Sequence, residues 1–307
     1  MTPPSPPADQ SPLVSAAELA DQLGRPGLVV LDVTVELPAP RFDGDYRAVS
    51  GAAGWERAHL PGSRHVDLLH HLCDPAGLRH HTRPAAAQLA ADLAELGIDP
   101  DATLVLYDRG ATTWAARAWW VLRNAGISAR VLDGGLTAWT AQGLPVEHGA
   151  TTTAAQPVPG HPAQLTDLGL WADRDDVQAL AEGRTPGSLV CALSAEHFAA
   201  TIPTRYARRG HIPRSVNLSA RTVLDAEGRL LAAPQLRTLA ETAPAAAGAT
   251  ALTGAEPVVV YCGGGVSACL TALALTVAGI SSVRVYDGSL DEWSADPSLP
   301  LETDPPV

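Results

Sequence analysis

Apolar residues fall into short continuous runs separated by longer stretches rich in Ala and Leu. Gly27-Leu28-Val29-Val30-Leu31-Asp32-Val33 is such a run. It is short and β-branched, which predicts a strand buried on both faces. Arg83 to Leu96 has the composition of a helix and stops at Gly97, a common helix terminator. Thr103 to Tyr107 predicts a second buried strand, about Trp114 to Asn124 a helix ending near Gly126, and Ala129 to Leu132 a third strand. Strands alternating with helices imply an α/β fold, a parallel sheet covered on both faces and joined by right-handed crossovers.

The same rhythm occurs twice. Ala58-His59-Leu60-Pro61-Gly62-Ser63 is echoed by Gly210-His211-Ile212-Pro213-Arg214-Ser215, and Leu104-Val105-Leu106-Tyr107-Asp108 by Val258-Val259-Val260-Tyr261-Cys262. Val131-Leu132-Asp133-Gly134-Gly135-Leu136-Thr137-Ala138-Trp139 is echoed by Val285-Tyr286-Asp287-Gly288-Ser289-Leu290-Asp291-Glu292-Trp293. Asp108 to Asp133 and Cys262 to Asp287 are both 25 residues apart. Order and spacing kept together indicate a duplicated domain. The boundaries expected are a disordered tail over 1–10, a domain over 11–148, a linker over 149–164, a second domain over 165–301 and a tail over 302–307. Ala243 to Ala255, rich in Ala, Gly and Thr, predicts a flexible surface insertion before the Val258-Val259-Val260-Tyr261-Cys262 strand.

Composition narrows the function. Of 307 residues 46% are hydrophobic and 18% charged, enough apolar side chain for packed cores and too little charge for disorder. A net charge of −12 disfavours nucleic acid and anionic membranes as partners. No apolar run approaches the ~20 residues of a membrane span. Met1 to Pro12 carries no Lys or Arg and no apolar core of a signal peptide. A cytoplasmic location is therefore expected, with Cys73, Cys191, Cys262 and Cys269 as thiols.

Cys262 stands apart. It ends a buried strand and is followed by Gly263-Gly264-Gly265-Val266-Ser267-Ala268, with a helix expected over Ser267 to Val277. Three glycines let the backbone wrap closely. Their N–H groups and the helix N-terminus then converge on one spot and favour a thiolate. A buried cysteine beside a plain turn is the alternative. A cysteine phosphatase would need a cation at the loop exit, where Ala268 and Cys269 stand instead. A persulfide carries one charge and suits an N–H cradle better, so sulfur transfer is the chemistry expected.

With these residues the chain resembles the tandem-domain rhodaneses, the thiosulfate and 3-mercaptopyruvate sulfurtransferases, from about residue 11 to 301. The matching elements are the His-Leu-Pro-Gly and His-Ile-Pro segments, Tyr261 to Ala268, the two Asp-Gly segments ending at Trp139 and Trp293, and Ala116-Arg117-Ala118-Trp119-Trp120. The resemblance implies two rhodanese-like domains of which only the second is catalytic. Asp108 occupies the Cys262 position of the first half, and a carboxylate cannot accept a sulfane sulfur. It also implies a Cys262 persulfide, a small anionic sulfur donor, and cyanide, a thiol or a thioredoxin-like protein as acceptor, with no cofactor. A persulfide-relay module fed by a protein partner is the alternative function. The neutral loop is similar to that of mercaptopyruvate-preferring members, except that Gly264 stands where they carry a hydroxyl residue.

The resemblance further implies Arg205 as an anion-binding residue, with Arg208 or Arg209 as substitutes, His197 where a second Arg is usual, His59 in the cleft and Arg117 on a cleft-facing helix. The alternatives are a solvated loop for Arg205, a satisfied turn for His59 and a salt bridge within its own domain for Arg117. His211 is expected to shape its turn, and Cys191 and Cys269 to be buried thiols, with a Cys262–Cys269 disulfide as the alternative for the latter. His70, His71, Cys73, Asp74, His80 and His81 have metal-ligand residue types. Adjacent residues point apart, however, so a polar loop at the cleft rim is expected and no metal.

Overall fold

The computed structural model describes residues 11–42, 44–149, 165–243, 245–250, 252 and 256–303. The first half contains β1 (Leu13–Val14), α1 (Ala16–Ala20), β2 (Leu28–Asp32), β3 (Val35–Glu36), β4 (Val49–Ser50), α2 (Ala52–Arg57), β5 (Arg64–His65), α3 (Ala86–Glu95), β6 (Thr103–Tyr107), α4 (Thr113–Asn124), β7 (Ala129–Leu132) and α5 (Gly135–Ala141). The second contains β8 (Trp171–Ala172), α6 (Arg174–Ala181), β9 (Ser188–Cys191), α7 (Ala195–Phe198), β10 (Ser215–Asn217), α8 (Ala233–Glu241), β11 (Val258–Tyr261), α9 (Val266–Val277), β12 (Val283–Tyr286) and α10 (Ser289–Trp293).

The duplication is visible in the sheets. The first has the order β1-β7-β6-β2-β5, the second β8-β12-β11-β9-β10, and every pairing in both is parallel. The central strands are apolar runs because helices cover both faces: all four residues of β11 are buried, as are the last four of β6. A small antiparallel pair, β3 with β4, lies outside these sheets. The tail over 1–10, nearly all of the linker over 149–164 and part of the Ala243–Ala255 insertion lie outside the described residues.

Two helices join the halves. Helix α4 buries Trp114 to Leu122, and α9 buries Ala268 to Leu275. A helix apolar all round must be enclosed by protein, and α4 and α9 enclose each other in a core cluster that spans both domains. Arg123 Nη1 donates to Thr276 Oγ1 across this contact (3.1 Å).

Helix α3 starts at Ala86 rather than Arg83. Pro84 biases Arg83 away from helical geometry, and the Arg83 N–H instead donates to Asp287 Oδ2 in the other domain (2.9 Å).

Candidate active site at Cys262

Cys262 follows β11 and stands at the mouth of the sheet, where ligands bind in open parallel sheets. It is 2% exposed and lines an interdomain cleft of about 900 Å³. The first domain contributes Phe42, Tyr46, His81 and Trp114 to the cleft; the second contributes His197, Arg205 and Tyr206.

The turn after Cys262 is closed by Ser289. Its hydroxyl accepts from the N–H groups of Cys262 and Gly265 (both 3.1 Å) and donates to the Tyr286 carbonyl (2.8 Å). Leu290 and Asp291 N–H groups donate to the Cys262 and Gly263 carbonyls (3.1 and 2.9 Å). The N–H groups of Gly263, Gly264, Val266, Ser267 and Ala268 find no acceptor among the described residues. They surround the head of α9, so dipole and donors favour negative charge there.

The first domain has the same cradle with its occupant built in. Asp108 is 2% exposed. Its Oδ1 accepts from Gly110 and Thr112 N–H groups (3.0 and 2.9 Å), and its Oδ2 from Trp114 and Ala115 (2.9 and 3.2 Å). Burial raises its pKa, opposed by these four donors. Thr112 and Gly265 are the left-handed caps of α4 and α9, at φ 55° and 76°. The second and third residues of α4 hold the Asp108 carboxylate; those of α9 are Ser267 and Ala268. The first loop is one residue longer, a difference that the turns after α4 and α9 take back.

Backbone freedom is needed at one of the three glycines only. Gly265 has φ +76°, a region costly to a side chain. Gly263 and Gly264 are required by space. A Cβ on Gly263 would lie 1.8 Å from Tyr206 Oη, and one on Gly264 3.0 Å from both Arg205 Nη2 and Asp291 Oδ2.

The expected binding residues separate. Arg205 lies in the cleft: Nη1 pairs with Asp291 Oδ1 at 2.8 Å, and the guanidinium sits 4.5 and 5.0 Å from the Tyr46 and Tyr206 ring centroids. His197 lines the cleft half-buried, with Nδ1 3.0 Å from Ser194 Oγ, and desolvation lowers its pKa, so it is neutral at pH 7. Arg208 is turned away, donating to the carbonyls of Trp293, Ser294, Asp296 and Leu299.

Two expectations are corrected. His59 is not a cleft residue. It is 1% exposed, stacked on Trp55 at 4.3 Å, and its Nδ1–H donates to the Trp55 carbonyl (2.8 Å). His211 does the same on Phe198, stacking at 3.5 Å and donating to its carbonyl at 2.9 Å. Both histidines brace the turn that carries their motif, and Tyr107 and Tyr261 Oη accept the N–H of Leu60 and Ile212 beside them. Arg117 does not line the cleft, nor is its salt bridge within its own domain. It is 3% exposed, 2.8 Å from Asp287 Oδ1 across the domain boundary, and donates to the carbonyls of Gly265 (3.3 Å) and His81 (2.5 Å).

Sequence reasoning missed several residues in and around the cleft. Tyr206 adjoins Arg205, and Ser289 and Asp291 lie inside a recognised motif, but nothing in their spacing marked them. Tyr46 comes from an irregular loop, and it meets His81 of the loop expected at the cleft rim. Their pair, Tyr46 Oη to His81 Nε2 at 2.8 Å, packs against Trp114, whose ring centroid is 4.9 Å from that of His81. Burial pushes the Tyr46 phenol up to about 12 and the His81 imidazole down to about 3, so Tyr46 donates and His81 accepts. Cys191 and Cys269 are fully buried, and burial pushes both thiols up to about 12. Cys269 Sγ donates to the Gly265 carbonyl (3.1 Å). Among the described residues no group of His, Cys, Asp and Glu side chains is placed to hold a metal ion, and no helix is long and apolar enough to cross a membrane.

Comparison with known proteins agrees with this architecture. The rhodanese-like domain model matches residues 15–142 and 195–296. A Pseudomonas aeruginosa protein named as a probable 3-mercaptopyruvate sulfurtransferase is 34% identical over 299 residues, 95% of this chain and 98% of that one. The 3-mercaptopyruvate sulfurtransferase of Escherichia coli is 30% identical over 94% of this chain and 97% of its own. The crystal structure of SseA from Escherichia coli, at 28% identity, aligns with a TM-score of 0.76 over 91% of this chain and 99% of that one. The chain belongs to the rhodanese family of sulfurtransferases, as two rhodanese-like domains in tandem.

Proposed function

We propose that Cys262 carries a sulfane sulfur between a small anionic donor, 3-mercaptopyruvate or thiosulfate, and a thiophilic acceptor such as cyanide, a thiol or a thioredoxin-like protein. The observation that carries this reading is the pair of cradles. In one, N–H donors hold the carboxylate of Asp108; in the other, at the same place in the fold, stands the thiol of Cys262.

In the first step the Cys262 thiolate attacks the donor's outer sulfur. The bond from that sulfur to carbon, or to the central sulfur of thiosulfate, breaks with its electron pair. Mercaptopyruvate leaves as the pyruvate enolate, which takes up a proton, and thiosulfate leaves as sulfite. Cys262 becomes a persulfide, Cys–S–S⁻, whose charge the free N–H groups and the α9 terminus stabilise. The acceptor then attacks the outer sulfur and regenerates the thiolate, a two-step exchange through a covalent intermediate. The first domain supplies one wall of the cleft and no nucleophile.

The test is intact mass after brief exposure of the reduced protein to each donor. A gain of one sulfur atom is expected, absent in Cys262→Ser and retained in Cys73→Ser, Cys191→Ser and Cys269→Ser. Loss of the gain in one of the other three alone would refute the assignment. No gain with either donor would move the reading to a relay loaded by a protein partner.

A further inference from the structure

Among the described residues the cleft holds one inner cation, and that cation is already engaged. Arg205 lies between Tyr46 and Tyr206 and meets Asp291 Oδ1 at 2.8 Å. The Asp291 backbone N–H, bonded to the Gly263 carbonyl at 2.9 Å, fixes that carboxylate against the Cys262 loop. Its Oδ2 is buried without a hydrogen-bond partner among the described residues. Both side chains rest over Gly264, where a Cβ would stand 3.0 Å from Arg205 Nη2 and from Asp291 Oδ2. The other arginines lining the cleft, Arg41 and Arg221, are exposed at its rim, and His197 and His81 are neutral at pH 7.

We infer that Asp291 is a specificity-determining residue, an internal anion that occupies Arg205 and selects for donors with a single negative charge and a hydrogen-bond donor. The inference rests on the Cys262 cleft being the sulfur-transfer site and names the substrate it prefers. A ligand that reaches Arg205 must share or displace the Asp291 carboxylate, and like charges brought together at a desolvated site are costly. Thiosulfate has two negative charges and only acceptor oxygens and sulfur, so it meets Asp291 Oδ2 with repulsion. 3-Mercaptopyruvate has one negative charge on its carboxylate and an S–H group at the reacting end. That S–H can satisfy the unpaired Oδ2, so the same carboxylate that rejects thiosulfate orients mercaptopyruvate. A ligand that brings such a donor gains a hydrogen bond at Oδ2 that a ligand without one does not.

The experiment uses the full chain as wild type, Asp291→Asn, Asp291→Ser, Arg205→Gln and the Asp291→Asn/Arg205→Gln double variant. Inorganic sulfate, a dianion with acceptors only, is titrated by calorimetry, and both donors are assayed with cyanide as acceptor. Sulfate binding is expected to tighten at least about fivefold in both Asp291 variants and to return to within about twofold of wild type in the double variant. The ratio of kcat/KM for thiosulfate to that for mercaptopyruvate is expected to rise about tenfold or more in Asp291→Asn, mainly through the thiosulfate KM. Unchanged sulfate affinity in both Asp291 variants, or a gain that survives the loss of Arg205, would overturn the inference. A purely structural role for Asp291 would lower both donors' rates together. If no variant loads sulfur from either donor, the sulfur-transfer reading fails, and the sulfate titration still decides whether Asp291 competes for Arg205.

Discussion

Replacing Arg117 by Met is expected to loosen the joint between the two domains. Arg117 and Asp287 side chains are 4% and 9% exposed, so neither regains water when the other is lost. The guanidinium also reaches the carbonyls of Gly265 and His81 and lies 4.9 Å from the Trp171 ring. The 2.8 Å contact with Asp287 Oδ1 is a charge pairing whose N–H is not aimed along a hydrogen bond. Its worth is therefore mainly Coulombic. Met keeps much of the volume and removes the charge, which leaves Asp287 with the Arg83 N–H as its remaining partner (2.9 Å). Breaking a buried pair from one side costs about 3–5 kcal/mol. At roughly 2 °C per kcal/mol for a chain of this size, Tm should fall by about 6–10 °C. Because the Gly265 carbonyl loses one of its two side-chain donors, keeping Cys269 Sγ, sulfur loading of Cys262 should slow as well. The control is Arg117→Met/Asp287→Leu, which removes both charges. It should recover most of the lost stability, since replacing both partners by apolar groups is often near neutral. A single variant within about 1 °C of wild type, or a double variant as unstable as the sum of the single ones, would refute the reasoning.

Gly263→Ala places a methyl 1.8 Å from Tyr206 Oη. It should cost about 1–3 kcal/mol and reduce sulfur loading more than tenfold, read by thermal melting and intact mass; near-normal loading would show that Tyr206 moves freely. Asp108→Ala strips four buried N–H groups of their acceptor. A stability loss of about 3 kcal/mol or more is expected by denaturant titration, with Asp108→Asn between it and wild type. His81, held down to about 3 in the folded chain by burial, should make the protein acid-sensitive. Above pH ~6.5 the imidazole is neutral in both states; below it the unfolded chain takes up a proton that the folded one refuses. Stability should therefore fall by up to about 1.4 kcal/mol per pH unit from pH ~6.5 towards 3. His81→Asn should melt with a shallower pH slope than wild type over pH 7 to 5, and identical slopes would refute the assignment.

Much of this was legible in the sequence, because a strand run, a helix run and a turn motif each declare themselves over consecutive residues. The strands Thr103–Tyr107 and Ala129–Leu132 match the runs that predicted them residue for residue. What the sequence hid was direction. His59 sits in a recognised motif, yet whether its ring faces the cleft or stacks on Trp55 depends on α2, four residues upstream and weakly marked. Arg117 was placed on the correct helix, but its partner Asp287 is 170 positions away in the other domain. The three glycines looked alike and serve different ends, since only Gly265 needs a left-handed backbone while Tyr206, Arg205 and Asp291 fill the space beside the other two. Tyr46 and His81 lie in loops without period, where chemistry is set by packing alone.

The two cradles bear on how an acidic chain can host anionic chemistry without a cation in the loop. The chain carries a net charge of −12, so an approaching anion is repelled at long range and must be held by short-range donors. Asp108 shows that this fold supplies them: four N–H groups accommodate two oxygens bearing one charge, with no Arg or Lys in contact. A persulfide likewise presents one charge. In the proposed intermediate, the second and third residues of α9 would face that charge as those of α4 face Asp108, while Ser289 takes up the Cys262 and Gly265 N–H groups and holds the turn in shape. The loop's capacity is therefore matched to a monoanion, and a phosphate dianion would exceed it. On this argument a lysine or arginine introduced into the loop is not needed for loading from a singly charged donor. Its effect should be confined to donors with a second charge, the same division inferred for Asp291, whose carboxylate lies beside the loop over Gly264.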